Sequence, residues 1–326
     1  GNTNGKIICL RADIDALPIE EKTDLPYASE YPGCMHACGH DAHAACLLGA
    51  AKILSENRDA FDGKVRLVFQ PGEEIGKGAK PFVAAGVLEG AERVFGLHTA
   101  YDLEAGTVGL KPGINNAAVD HFRIRVHGRS THVSTPHLGV DALYIASQIV
   151  VAVQGLVTRR TSPTEPVIIG IGKLNAGTTY NAVAAFAEME GTTRTISQES
   201  RDRVRAQVSE TAQSIAALYG GTAEIEWTDF AAALVNDPQV CEEAAQVVDE
   251  LLGEGHVVTD RELSLSGDNF AEFELYKPGA YAYLGTGNQD FPHTMITNHN
   301  GGFDVDENAL VTGAGLYVGY TVARLG

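Results

Sequence analysis

The densest chemistry in this chain runs from Cys34 to His43, Cys-Met-His-Ala-Cys-Gly-His-Asp-Ala-His, where two thiols, three imidazoles and a carboxylate share ten residues. A lone histidine is more often structural than a ligand. Cys-x-His on a glycine-bearing turn, here Cys38 and His40, is different, because it puts a soft and a borderline donor within reach of one ion. A closed structural zinc site needs a second Cys-x-x-Cys or His-x-x-x-His pair, and none follows, so the spacing points to an open, catalytic site.

Further donors stand at the ends of apolar runs. Glu73 and Glu74 follow Val65-Arg66-Leu67-Val68-Phe69-Gln70-Pro71-Gly72, His98 closes Gly96-Leu97-His98, and His299 lies in Thr297-Asn298-His299-Asn300-Gly301-Gly302-Phe303. Singly, each could be structural, and two adjacent glutamates usually form a solvated turn. Together they supply N, O and S donors for two ions, with Cys38 as a possible thiolate bridge. Adjacent carboxylates leaving an extended segment diverge. One can then hold metal while the other takes a proton from water, the division of labour that metal-assisted hydrolysis needs.

The elements that must position these donors alternate. Ile7 to Leu10 reads as a strand running into Arg11-Ala12-Asp13-Ile14-Asp15, followed by a helix over Ala44 to Asn57, a strand over Lys64 to Phe69, a helix over Ala79 to Ala85 and a strand over Arg93 to Leu97. That order predicts an α/β fold with a mostly parallel sheet covered on both faces. From about Ala117 the pattern changes: strand His121 to Val126, helix Val140 to Val157, strands Val167 to Leu174 and Ala184 to Thr195, helix Gln198 to Leu218 and a closing strand Thr222 to Trp227. This is the order of a split βαβ, ferredoxin-like α+β unit inserted as its own domain over 117–227. The first domain is then discontinuous, 1–116 and 228–326, with a strand at Ala280 to Leu284 and a last helix at Glu307 to Ala323.

Composition narrows the class. A chain of 326 residues exceeds what one core usually serves, and its net charge of -18 argues against nucleic acid or an anionic membrane as partner. The longest apolar tract, Ala142 to Val157, is interrupted by Ser147, Gln148 and Gln154 and falls short of the roughly 20 residues of a membrane span, so it reads as a buried helix. No basic, apolar, small-residue leader opens the chain, so no secretory signal is expected. Five cysteines, Cys9, Cys34, Cys38, Cys46 and Cys241, form an odd set without small-scaffold spacing, which favours reduced thiols and a cytoplasmic enzyme.

Leu10-Arg11-Ala12-Asp13-Ile14-Asp15-Ala16-Leu17-Pro18-Ile19, His36-Ala37-Cys38-Gly39-His40-Asp41, Phe69-Gln70-Pro71-Gly72-Glu73-Glu74, Gly96-Leu97-His98 and His299 before Phe303 occur in the order seen in the peptidase M20 amidohydrolases, which the chain resembles from first strand to last helix. The resemblance is nearest to the branch of hippurate hydrolases, N-acyl-amino-acid amidohydrolases and auxin-conjugate hydrolases. It implies a metallohydrolase domain with two divalent ions, zinc, manganese or cobalt, held by Cys38, His40, Glu74, His98 and His299, and Glu73 as general base and later acid. Asp13 and Asp15 match the family's acidic strand end, where a carboxylate orients a ligand from behind it; loop-capping acids are the bland alternative.

In the inserted dimerisation, or lid, domain, Gly128-Arg129-Ser130-Thr131-His132 matches the segment from which the family sends a histidine to the scissile carbonyl, which makes His132 the candidate oxyanion donor. His137 is left as a structural or secondary contact. Asn181 and Arg194 resemble the family's polar substrate contacts, the arginine suiting a carboxylate. The segment Asn181-Ala182-Val183-Ala184 lacks the family's proline, and relatives carry several tens of residues of helix before the first strand, implying a short branch or a trimmed chain here. The resemblance thus implies hydrolysis of the amide of an acyl amino acid by a homodimer joined through the inserted domain. A dipeptidase or p-aminobenzoyl-glutamate type hydrolase, and a non-catalytic binding member of the fold, are the competing readings.

Overall fold

The computed structural model describes residues 5–326; the first four, at the head of the expected 1–116 segment, lie outside the described residues. In chain order the elements are β1 (Ile7–Asp13), α1 (His40–Glu56), β2 (Lys64–Gln70), α2 (Ala79–Ala84), β3 (Ala91–Glu104), β4 (Val108–Gly109) and β5 (Gly113–Asn116), then β6 (Ala118–His127), α3 (Ala142–Arg160), β7 (Ile168–Ala176), β8 (Phe186–Thr195), α4 (Gln198–Leu218) and β9 (Thr222–Ala231). The chain continues through β10 (Leu234–Asn236), α5 (Pro238–Leu252), β11 (Val257–Val258), α6 (Ala271–Glu274), β12 (Gly279–Gly287) and α7 (Ala309–Leu325).

The chain divides into two units, one of residues up to Asn115 with Leu234–Leu263 and Asp268–Gly326, the other of Asn116–Ala233 with Ser264–Gly267. The second boundary falls at Ala233 rather than the expected 227 because β9 keeps pairing with β6 as far as Ala231. Ser264–Gly267 was not expected in the inserted unit. It is held there by a bridge between Asn116 and Ser264 and by the Ala117 N–H donating to the Ser264 carbonyl at 3.0 Å.

In the first unit, β1 is buried on both faces from Ile8 onward, as an apolar run in a covered parallel sheet must be. The six-stranded sheet has the order β11-β4-β12-β3-β1-β2; β1 runs parallel to β2 and β3, β12 parallel to β3, and only the β4–β12 pair is antiparallel. Leu47 and Ala50 of α1, Val240, Ala244 and Val247 of α5 and Leu316, Tyr317 and Tyr320 of α7 close one core with Leu10, Phe95 and Leu97. Asp237 starts α5 by accepting the N–H groups of Gln239 and Val240, with Pro238 at the first helical position.

In the second unit the antiparallel order β7-β8-β6-β9, with α3 and α4 between strands, is the ferredoxin-like arrangement. Alternation decides its faces. Phe122, Ile124 and Val126 of β6 enter the core with Ile145, Ile149 and Val153 of α3 and Val204 and Val208 of α4. The intervening His121, Arg123 and Arg125 pair instead with Glu190, Glu188 and Glu226 of the neighbouring strands. The expectation that Ala142 to Val157 is a buried helix fails on one side: Leu143, Tyr144 and Val151 of α3 stay open, Val151 at 70% exposure, because a four-stranded sheet covers only one helical face.

Candidate metal centre

Cys38 ends the loop before α1. Gly39 caps that helix at φ 84°, and a Cβ there would stand 2.5 Å from Thr99 Oγ1, so only glycine fits between Cys38 and His40. This cap also starts the helix at His40, four residues before the expected Ala44. His98 arrives from β3: Cys38 Sγ lies 3.6 Å from His98 Nε2, and one donor atom each of Cys38, His40 and His98 fall within 4.8 Å of one another. Cys38, Glu74 and His299 form a second such trio, with His299 Nε2 3.2 Å from Glu74 Oε1. The thiol is common to both.

His299 takes φ 62°, the one non-glycine residue at positive φ among the described residues, and its N–H donates to the Ala37 carbonyl at 2.7 Å. Such backbone persists where surrounding structure enforces it, and here it brings the His299 ring to Glu74. Asn298 beside it donates from Nδ2 to Cys38 Sγ at 3.3 Å.

The two glutamates diverge, though not by strand alternation. Gly72 at φ 72° ends the extended run, and Gly76 N–H closes a turn on the Glu73 carbonyl at 2.8 Å, so a turn separates the two carboxylates. Glu74 faces His299, with His40 Nε2 3.9 Å from its Oε1. Glu73 is 6% exposed and turns to Asn269, whose backbone N–H donates to Oε1 at 3.1 Å; a carboxylate oxygen of Glu73 still lies within 4.8 Å of donors on His40 and Glu74.

Asp15 secures that turn by accepting the N–H of Glu73 on one oxygen and that of Glu74 on the other, both at 3.0 Å. Asp13 is wholly buried between Arg11 Nη1 at 2.7 Å and His43 Nδ1 at 2.5 Å, with His40 Nε2 at 3.7 Å. Asp15 thus caps the loop that carries the two glutamates, while Asp13 reaches His40 and His43 of the segment that carries the donors.

A cation fits this donor set. His40 Nδ1, His40 Nε2 and Glu74 Oε1 are buried without a hydrogen-bond partner, a costly state for polar atoms that a bound ion relieves. The titration behaviour agrees. Burial works to raise the Cys38 thiol, but the surrounding imidazoles of His98, His299 and His40 outweigh it and hold its pKa well below the ordinary value. Burial likewise opposes charge on His40, yet Asp13, Asp15 and Cys38 lift it to about 12; His98 rises to about 9 through Cys38 against its own burial. Burial, then the Cys38 charge, lifts Glu74 to about 7. The pocket therefore stabilises a thiolate and draws positive charge to its neighbours, and metal binding releases those protons.

Of the other sequence-marked residues, His132 and Asn181 meet in the inserted unit, where His132 bridges Ala182 and the Val133 N–H donates to the Asn181 carbonyl at 3.2 Å. Arg194 stands on β8 opposite Val119 and Ile168. Cys34, His36 and Asp41, inside the densest stretch, join none of the donor groups.

Several residues around the centre were missed: Arg11, His43, Gln70, Thr99, Asn269 and Asn298. Two of them carried a signal, Arg11 as an arginine in an apolar strand and His43 as the third imidazole of the densest stretch. The His43 ring accepts the Thr99 N–H on Nε2 at 2.8 Å, and Thr99 Oγ1 donates to the Cys38 carbonyl at 3.2 Å, so this buried imidazole ties the segments that carry Cys38 and His98 to Asp13.

The same order of segments recurs in known proteins. The N-acetyl-L-cysteine deacetylase of Bacillus subtilis is 42% identical over 312 residues, spanning 95% of this chain and 73% of the relative, and thermostable carboxypeptidase 1 of Saccharolobus solfataricus is 39% identical over 96% of this chain and 79% of its own. Among solved structures, the YXEP protein of Bacillus subtilis, a dinuclear metal binding peptidase from the M20 family, superposes with a TM-score of 0.84 at 36% identity, covering 100% of this chain and 83% of that one. The model of peptidase family M20/M25/M40 matches residues 9–322. From β1 to α7, then, the chain belongs to peptidase family M20/M25/M40 and is a hydrolase of amide bonds.

Proposed function

We propose that the protein cleaves the amide of N-acyl amino acids or similar conjugates, with Glu73 carrying the proton. The observation that carries this reading is the division between the glutamates: Glu74 is turned into the donor set, while Glu73 keeps one oxygen on Asn269 and, among the described residues, leaves the other free of a hydrogen-bond partner. Cys38, His40, Glu74, His98 and His299 would hold two divalent ions, zinc, manganese or cobalt. Bound there, the ions supply Lewis acidity, making water a better nucleophile and a carbonyl a better electrophile.

Glu73 accepts the proton of the attacking water and returns it to the departing amine. Burial, with Asp268 and Asp13 close by, raises its pKa well above the usual carboxylate range, which suits a group that must hold that proton between two steps. His132 is the candidate oxyanion donor. Its Nδ1 accepts the Ser134 N–H at 3.2 Å, which leaves the hydrogen on Nε2, the nitrogen free to donate. Arg194 has no acidic partner among the described residues and burial lowers its pKa; a substrate carboxylate would supply the missing anion. Asn181, on the loop beside His132, is the second contact proposed for the amino-acid end. The names of the deacetylase and carboxypeptidase relatives support an acylated amino acid or peptide as substrate.

The open face of α3 and the β7 edge, where Ile168 and Leu174 are exposed, suit a second copy of the chain, giving a dimer through the inserted unit. Five unpaired cysteines favour a reducing compartment, the cytoplasm.

Glu73→Gln tests the assignment. With metal content unchanged, turnover of a panel of N-acyl amino acids is expected to fall about 10²- to 10⁴-fold. Turnover at the native rate would remove Glu73 from the mechanism, and a metal-loaded native chain that binds but turns over none of the panel would favour a binding protein.

A further inference from the structure

We propose that Asn269 is a positioning residue that sets the direction of the Glu73 carboxylate, itself locked by the buried cation Arg11 and the amide of Gln70. This rests on the assignment of Glu73 as proton carrier. A carboxylate that takes a proton in one step and returns it in the next must present the same oxygen both times, and a glutamate free to turn about its side-chain bonds does not. Asn269 grips Glu73 at both ends: its backbone N–H donates to Oε1 at 3.1 Å and its Nδ2 to the Glu73 carbonyl at 3.5 Å.

Asn269 cannot turn either. Its Oδ1 accepts from Arg11 Nη2 at 3.1 Å and from Gln70 Nε2 at 2.8 Å, while Arg11 Nε donates to Gln70 Oε1 at 3.1 Å, so three side chains form a closed ring of donors and acceptors. Two donors on Oδ1 also fix which end of the amide is oxygen. All three residues are at most 1% exposed. A wholly buried guanidinium is an expensive way to fill space, since an apolar side chain of similar volume often serves packing as well. What Arg11 does that an apolar residue cannot is hold this ring, with Nη1 donating to Asp13 and the Tyr281 hydroxyl and Nη2 also 3.7 Å from Asp268.

The test is a double-mutant cycle on the metal-loaded protein. Asn269→Ala is expected to lower kcat about 10- to 100-fold with KM changed less than about twofold and metal content retained. Asn269→Asp keeps the oxygen that Arg11 and Gln70 grip but loses the Nδ2 donor to the Glu73 carbonyl, so it is expected to recover part of the loss. In a Glu73→Gln background Asn269→Ala should cost nothing more, because the group it directs is gone. Should the alanine chain fail to fold, Gln70→Met removes one of the two donors from a greater distance and should lower kcat in the same sense.

Native kcat in folded Asn269→Ala or Gln70→Met, or an equal further loss in the Glu73→Gln background, would overturn the positioning role. Native turnover in Glu73→Gln alone would instead overturn the proton-carrier assignment beneath it, so the two failures are told apart.

Discussion

His43 has a nitrogen committed on each side, Nδ1 to Asp13 and Nε2 to the Thr99 N–H, and no exposed surface. Burial first, and then the neighbouring His98 and His40, lower its pKa from 6.5 to about 4 despite Asp13, so the ring is neutral in the folded chain. His43→Leu keeps the apolar volume but strands the Thr99 donor and an Asp13 oxygen, each worth about 1–3 kcal/mol when buried and unpaired. Urea denaturation should therefore show a loss of about 2–5 kcal/mol. The pH sense follows from the lowered value. The contribution of His43 is full above the ordinary 6.5 and fades as pH falls toward about 4, so the gap between native and His43→Leu stability should narrow on acidification over that range.

The donors were legible at this scale because thiol, imidazole and carboxylate announce their chemistry by type. Asn269 and Gln70 were not, because an amide in a loop or at a strand end has no pattern of its own and gains meaning only from what folding places beside it.

Elements set which of those residues meet. β1, β2, β3 and β12 deliver Asp13, the turn after Gln70, His98 and the approach to His299 from one sheet, and strand–helix alternation made that sheet legible. Short pieces such as β4, β10 and β11 were not, since two or three residues carry no period. Nor could periodicity show that Glu73 and Glu74 sit on a turn, which Gly72 at positive φ decides. On α3, the apolar tract hid a distinction that packing reveals: Ile145, Ile149 and Val153 face the sheet and Val151 does not. Val151→Arg touches nothing in the core, so it should leave stability within about 0.5 kcal/mol. If α3 joins two copies, sedimentation of this variant should shift from dimer to monomer; an unchanged dimer would place the interface elsewhere.

At the scale of the whole molecule the chain passes between its two units after Asn115, Ala233, Leu263 and Gly267. The insertion was legible as a change of rhythm near Ala117. The brief return was not, because Ser264–Gly267 has no element of its own and belongs to the inserted unit through its bridge to Asn116 and its packing. Gly267 is the tight point: a Cβ there would stand 2.5 Å from Val119 Cγ2 and 3.5 Å from the Ala231 Cβ. Gly267→Ala should therefore displace the segment, and stopped-assay kinetics should show kcat falling more than KM changes although no donor or substrate contact has been altered.

The reason is a matter of slack. Gly267 is anchored in one unit, and Asn269, two residues on, holds Glu73 in the other. Two residues of extended chain reach only about 7 Å, too short a tether to absorb a displacement of its anchored end. A shift of Gly267 would be passed on to the peptide N–H on Glu73 Oε1, so a single methyl added two residues away would reach the carboxylate proposed to carry the proton through backbone alone.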